Sequence, residues 1–411
     1  MAYDPRSERK RSNMGSFLIV LAAACTIGYI WWTRSHPINP SQGNNPSSST
    51  APSGDNPSSN TSAATPGDIL FSYGRSTKAW VEQASREFNE QHKGQWRIVP
   101  ETKGGSRDAK NGILYGKARP VIWSPADLYW TDKLNLDWRN PKVGNHKEDI
   151  VGDTQPILKS LFVLLMWEDR AKVFKAAMQQ PRYQGRTWSL ISDITTKGWG
   201  SVGGPPGWGK LKLAQTEATE SNSGQAALVL MLIDYRRSHP DATDSDPGFI
   251  RFMRTIEDRV SRFSDTTSKM VEAFVEGGKS GADMALCYES NAMQVVDKGE
   301  TLLRVVYPDK TVSTNYPAAI LTAEWVTPEK SQGAKAFVDY MRTPAVQKRA
   351  LQLGFRPAID NLRREVDNAL VTGNREQAGF KLDVPTEPER VVSTKIIDGL
   401  IYQWYRAYGP K

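Results

Sequence analysis

The sequence predicts an open α/β fold with helices covering a largely parallel sheet, and three observations carry that expectation. Short apolar runs alternate with amphipathic helical stretches over most of the chain. The connections after several of these runs are Gly/Ser/Asn turns that lead directly into a helix. The 411 residues, 39% hydrophobic and 24% charged, are enough for two domains of ordinary size. In an open α/β sheet such turns gather at the carboxyl ends of the strands, where ligands bind.

The elements follow in order. Asp68–Ser72 reads as a strand, Tyr73–Thr77 as a turn ending in a capping residue, and Lys78–Phe88 as a helix with Trp80, Val81, Ala84 and Phe88 on one face. Trp96–Val99 is the next strand. A second Gly/Ser turn, Thr102–Arg107, follows it, then a helical stretch over 108–115 and a strand at Val121–Trp123 that closes on Ser124. Ile157–Trp167 is an apolar run of strand type, suited to crossing between lobes. Leu190–Lys197 is a short helix. Lys210–Ala214 is a strand, followed by the polar turn 218–225 and the apolar helical run Ala226–Ile233. Phe249–Val260 and Ser268–Phe274 are helical, Ala282–Tyr288 is a strand, and Glu289–Met293 opens a helix. Leu302–Tyr307 and Ala318–Val326 are strands, and Pro328–Thr343 is a helix. Ile396–Tyr408 is helical without an assigned position.

The first 66 residues are of a different kind. Residues 1–14 form a basic N-terminus with Arg6, Arg9, Lys10 and Arg11. Residues 15–32 are uncharged, apolar and just long enough to span a bilayer, with Trp31 and Trp32 suited to the far interface. This reads as an uncleaved signal anchor that leaves the C-terminal domain in the periplasm or extracellular space. A lipid-modified Cys25 is the alternative, although the apolar run continues past that cysteine. Residues 33–66 are rich in Pro, Ser and Asn and read as a disordered tether. A coil of that length has an r.m.s. reach of about 30 Å.

Composition excludes several functions. The net charge of +8 contains no long basic run, so nucleic acid is not an expected partner. The two cysteines, Cys25 and Cys287, fall on opposite sides of the tether, so no internal disulfide is expected. The four histidines lie in loop-like settings without metal-ligand spacing, so neither a metal nor a cofactor is expected. No nucleophile elbow, Walker sequence or paired histidine and nucleophile points to an enzyme.

The candidate ligand-binding residues are those of the polar turns. Ser76, Thr77, Ser106 and Ser124 belong to the first half of the chain. Ser221, Asn222, Ser223, Gly224, Ser268, Tyr288 and Glu289 belong to the second. Uncapped N–H groups at helix starts, with hydroxyl donors beside them, suit an anion or a polar ligand group. Each hydroxyl is equally suited to plain helix capping, Tyr288 to strand packing and Glu289 to a solvated rim.

The ordered landmarks Gly74–Thr77, Gly104–Ser106, Glu220–Gly224, Leu286–Ala292, Asn315–Ala318 and Gly354–Pro357 together resemble the type II periplasmic solute-binding proteins of ABC transporters, in the branch that includes molybdate-binding members. The resemblance implies a two-lobed type II periplasmic-binding-protein fold closing like a hinge. Lobe one would be about 67–158 and 316–411, and lobe two about 159–315. It further implies capture of a small, oxyanion-like ligand for an ABC permease or other envelope protein. Arg75, Glu289 and a Trp-rich region depart from a bare molybdate pocket and point to a larger or zwitterionic ligand, or to a sensory or protein-interaction role for the same fold.

Overall fold

The structure is a computed structural model, and it describes residues 67–102, 104–359, 362, 370–388 and 391–409. The expected anchor, tether and Cys25 lie outside the described residues. Within those residues no helix is long and apolar enough to cross a membrane.

The strands are β1 (Asp68–Tyr73), β2 (Arg97–Glu101), β3 (Ile122–Ser124), β4 (Val151–Pro156), β5 (Leu158–Trp167), β6 (Leu213–Thr216), β7 (Val260–Ser264), β8 (Met284–Tyr288), β9 (Leu303–Val306), β10 (Ser313–Thr314), β11 (Pro317–Leu321) and β12 (Arg356–Pro357). The helices are α1 (Lys78–Gln91), α2 (Ser106–Leu114), α3 (Leu128–Arg139), α4 (Glu168–Met178), α5 (Thr187–Lys197), α6 (Asn222–Arg236), α7 (Pro247–Glu257), α8 (Thr267–Gly281), α9 (Glu289–Asp297), α10 (Pro328–Met341), α11 (Pro344–Gln352), α12 (Asn374–Ala378) and α13 (Thr394–Tyr408).

Two sheets define two lobes. The first has the order β2-β1-β3-β11-β4, with β1 parallel to β2 and β3, and β11 antiparallel to its neighbours. Its core is the alternating inward face of β1, Ile69 and Phe71, packed with Trp80 and Phe88 of α1 and Phe337 of α10. The second sheet has the order β10-β5-β8-β6-β7, with β9 and β12 added on β5. β5 is buried along nearly its whole length because both its faces are covered, Phe162, Leu164 and Met166 packing in one cluster and Leu161, Val163 and Leu165 in another, which is why it reads as a continuous apolar run rather than an alternating one.

The chain passes between the sheets at Ile157, at Asn315–Tyr316 and again before Arg356. Tyr316 adopts φ +37°, a left-handed conformation rare for a bulky residue, at one of these crossings. The C-terminal return was expected to complete lobe one throughout, but it does so chiefly through α10 and α11. Beyond Phe355 most apolar side chains join lobe two: Leu370, Ala378 and Phe380 pack in one of its clusters, and Val392, Leu400 and Trp404 in the other, while Ile397 and Ile401 also pack on a lobe-one cluster. The reason is burial: lobe two leaves apolar faces of β5, β9 and α6 that these side chains cover.

Several elements depart from the expected pattern. α3 and β4 fill the Trp-rich stretch between β3 and β5. β7 begins at Val260, where a helix was expected to end. The strand expected over 318–326 stops at Leu321.

Candidate functional site

The start of α6 is built by close packing. A Cβ on Gly224 would lie 2.7 Å from the Thr216 carbonyl oxygen at the end of β6. Glycine therefore lets the helix start directly against the strand. Ser221 is the N-cap but makes no side-chain capping bond. Its hydroxyl instead joins a cluster inside lobe two: Ser223 Oγ lies 2.8 Å from Thr216 Oγ1 and 2.9 Å from Thr267 Oγ1, and Ser221 Oγ lies 3.3 Å from Thr267 Oγ1. These hydroxyls satisfy one another between the starts of α6 and α8, and Ser223 is fully buried.

Asn222 turns the other way. Its Nδ2 donates to Tyr288 Oη at 2.6 Å. Tyr288 is wedged edge-on against Phe162, with centroids 6.1 Å apart. Burial, reinforced by the Asp127 carboxylate, holds its phenol well above the usual tyrosine range, so it is a neutral hydroxyl at every physiological pH.

The remaining candidates are distributed differently. Thr77 Oγ1 donates to the Gly74 carbonyl of its own turn at 2.9 Å, and Ser106 Oγ accepts from the Ala126 amide at 3.1 Å. Ser124 is buried at the end of β3. Ser268 Oγ accepts from Asn291 Nδ2 at 3.3 Å. Ser76 meets the hydroxyl of Tyr316, which also engages Ser290 and so bridges the lobes. Glu289 is not a rim charge and does not meet Arg75. It is fully buried, receives Arg356 Nε and Nη2 at 2.7 Å each, and accepts from Tyr307 Oη. Its acceptor capacity is consumed by that arrangement.

A cavity of about 430 Å³ lies between the lobes. Of the sequence candidates, Asn222 and Tyr288 line it. Lobe one contributes the start of α3, with Asp127, Leu128 and Asp132. Lobe two contributes the side of α6, through Ala226 and Val229, and Lys159 of β5. The third wall comes from residues 386–388 and 391–397, with Val391 and Val392. The cavity therefore runs along the flank of α6 rather than off its tip, which is why the serines around Asn222 do not face it. Sequence reasoning missed α3 and this C-terminal wall. Asp127, which accepts from the Tyr129 amide at 3.0 Å, was readable as an N-cap before Leu128, but nothing nearby signals which cavity it would reach.

The lobes are drawn together by two sets of contacts. In one, Arg107 pairs with Glu220. In the other, α13 ties them: Asp398 accepts from Tyr129 Oη at 2.8 Å and Lys133 Nζ at 3.1 Å, and Thr394 Oγ1 donates to Asp132 at 3.3 Å. The far end of α13 is rooted in lobe two, where Trp404 packs on Phe263 and donates to Glu257 at 3.2 Å.

No group of metal-ligating side chains occurs among the described residues. The described histidines stack on aromatic rings: His92 on Phe88, His146 on Trp138 and His239 on Tyr235. None of them lines the cavity.

Comparison with known proteins agrees with this architecture. The sulfate-binding protein SubI from Mycobacterium tuberculosis superposes with a TM-score of 0.50 at 16% identity, covering 81% of this chain and 95% of SubI. The periplasmic binding protein AfuA from Actinobacillus pleuropneumoniae, solved with exogenous fructose-6-phosphate bound, gives 0.54 at 14% identity, covering 82% and 98%. At such identities the likeness is one of fold. Two uncharacterised proteins from two strains of Mycobacterium tuberculosis are 20% identical over 273 residues, 63% of this chain; the match spans only 37% of their length. Residues 69–356 match the bacterial extracellular solute-binding protein family. With that match over most of its length, the chain belongs to the bacterial extracellular solute-binding proteins.

Proposed function

We propose that this protein is a membrane-anchored, extracytoplasmic receptor that captures a small solute by hinge closure and presents it to an ABC permease. The observation that carries the reading is the cavity walled by both lobes, with Asn222 and Tyr288 at the junction. Bending at Ile157, Tyr316 and the approach to Arg356 would open it, and closure on solute shifts the open/closed balance in proportion to the contacts made only when closed.

Lys159 on the cavity wall supports an anionic group on the solute, set against the Asp127 and Asp132 carboxylates that line the lobe-one side. Anchoring rests on the apolar run 15–32.

The test is a thermal-shift screen of the full-length protein against oxyanions, carboxylates, amino acids and sugars. A solute at 100 times its Kd stabilises by about 2.7 kcal/mol. Asn222→Ala and Tyr288→Phe should each weaken binding of the solute so found by about tenfold, the value of one lost hydrogen bond. Wild-type affinity in both variants would rule this site out.

A further inference from the structure

We infer that the solute carries an apolar body, and that the C-terminal residues 386–388 and 391–397 form the wall that selects it. This rests on the reading of the cleft as a solute site and adds the class of solute.

Three observations lead here. First, the cavity is far larger than a tetrahedral oxyanion requires, and its size falls in the range of pockets that hold extended organic molecules. Second, the hydroxyls that would cradle a bare oxyanion, Ser221 and Ser223, are bonded to Thr216 and Thr267 inside lobe two. Third, the surface offered in their place is apolar over much of its extent: Leu128 from α3, Ala226 and Val229 from α6, and Val391, Val392 and Ile397 from the C-terminal segment. That segment lies beyond residues 69–356, the part that matches the family.

The segment is held firmly enough to select. On one side the Thr311 amide donates to the Pro385 carbonyl at 3.0 Å and the Glu387 amide to the Thr311 carbonyl at 2.7 Å. On the other, α13 is fixed at both ends by Asp398 and Trp404. Ile397 touches the cores of both lobes. An apolar wall anchored to both lobes is completed only when the cleft is closed, so apolar contact with it favours closure directly. A bare ion gains nothing from such a wall and loses its hydration beside it.

The polar end of the solute lies towards Asn222, Tyr288 and Lys159, and its body runs along Val229 towards Val391 and Val392.

The experiment is isothermal titration calorimetry on the full-length protein with two homologous series, acetate to decanoate and methylamine to decylamine, and with sulfate. Affinity should rise about three- to fourfold per added methylene in the series whose head group fits, the increment expected for burying each one. The double variant Val391→Thr/Val392→Thr should flatten that slope. Because loss of fold in that pair would also abolish binding, Ala226→Phe, which fills the cavity from α6, serves as a second variant and should shorten the longest chain accepted. Sulfate or acetate binding as tightly as decanoate, or a slope that the valine variants leave intact, overturns the inference while the cleft reading stands. Absence of binding by every compound, with no change in lobe separation, overturns both.

Discussion

Glu257 shows how much a single buried group can set. It is fully enclosed, and burial pushes its carboxyl up to about 7, against the stabilising bonds from Gln215 Nε2 at 2.6 Å and Trp404 Nε1. The sign follows from linkage: between its unfolded value of 4.5 and about 7 the folded protein binds more protons than the unfolded one. Its contribution is complete below pH 4.5 and is lost as pH rises through 7, a change of roughly 3 kcal/mol at most. Urea unfolding should give a stability that falls from pH 5 to pH 8, and Glu257→Gln should remove much of that slope. The pair of Glu289 and Arg356 makes the complementary point. Arg356→Met would strand a buried carboxylate and should cost about 3–5 kcal/mol in the same assay. The sequence shows Glu289 at a helix start and nothing more, because its partner is 67 residues away in the chain. Asn222 was legible as a polar residue at a helix start, but not its bond to Tyr288, which lies 66 residues on in another strand. Ser221 and Ser223 were legible as polar turn residues, but their direction was not, since Thr216 and Thr267 decide it from neighbouring elements.

At the scale of elements, local rules worked where an element is amphipathic or bounded by its own turn. α1 was readable from Trp80, Val81, Ala84 and Phe88, which are its buried face. β7 was not, because Val260–Ser264 is half-exposed at the sheet edge and lacks an alternating pattern strong enough to break the preceding helix. α13 was readable as a helix but not as a strap, since its anchors are tertiary. Its two ends carry different consequences. Asp398 joins partly exposed polar groups of α3, so Asp398→Ala should cost less than about 1 kcal/mol. It should nevertheless loosen the cleft and speed solute association in stopped-flow fluorescence. Trp404 is buried in the lobe-two core, and Trp404→Ala should cost about 3–5 kcal/mol. Equal destabilisation by the two substitutions would mean that the strap is simply part of one core.

For the whole molecule, the two-lobed plan was legible because strand–turn–helix units recur and because the ordered turns resemble one family. The C-terminal boundary was not, because which lobe a late helix covers depends on the apolar faces left open by elements far earlier in the chain. The central claim is that the lobes move as bodies about the crossings at Ile157, Tyr316 and Arg356, enclosing a solute between α3, α6 and the C-terminal wall. Double electron–electron resonance tests it most directly, with spin labels at Lys93→Cys in lobe one and Lys298→Cys in lobe two, both exposed, and Cys25 replaced by Ser. The account predicts two distance populations, with the shorter one growing as a binding solute is added and shrinking in Asp398→Ala. A single distance, unchanged by a solute that calorimetry shows to bind, would contradict it.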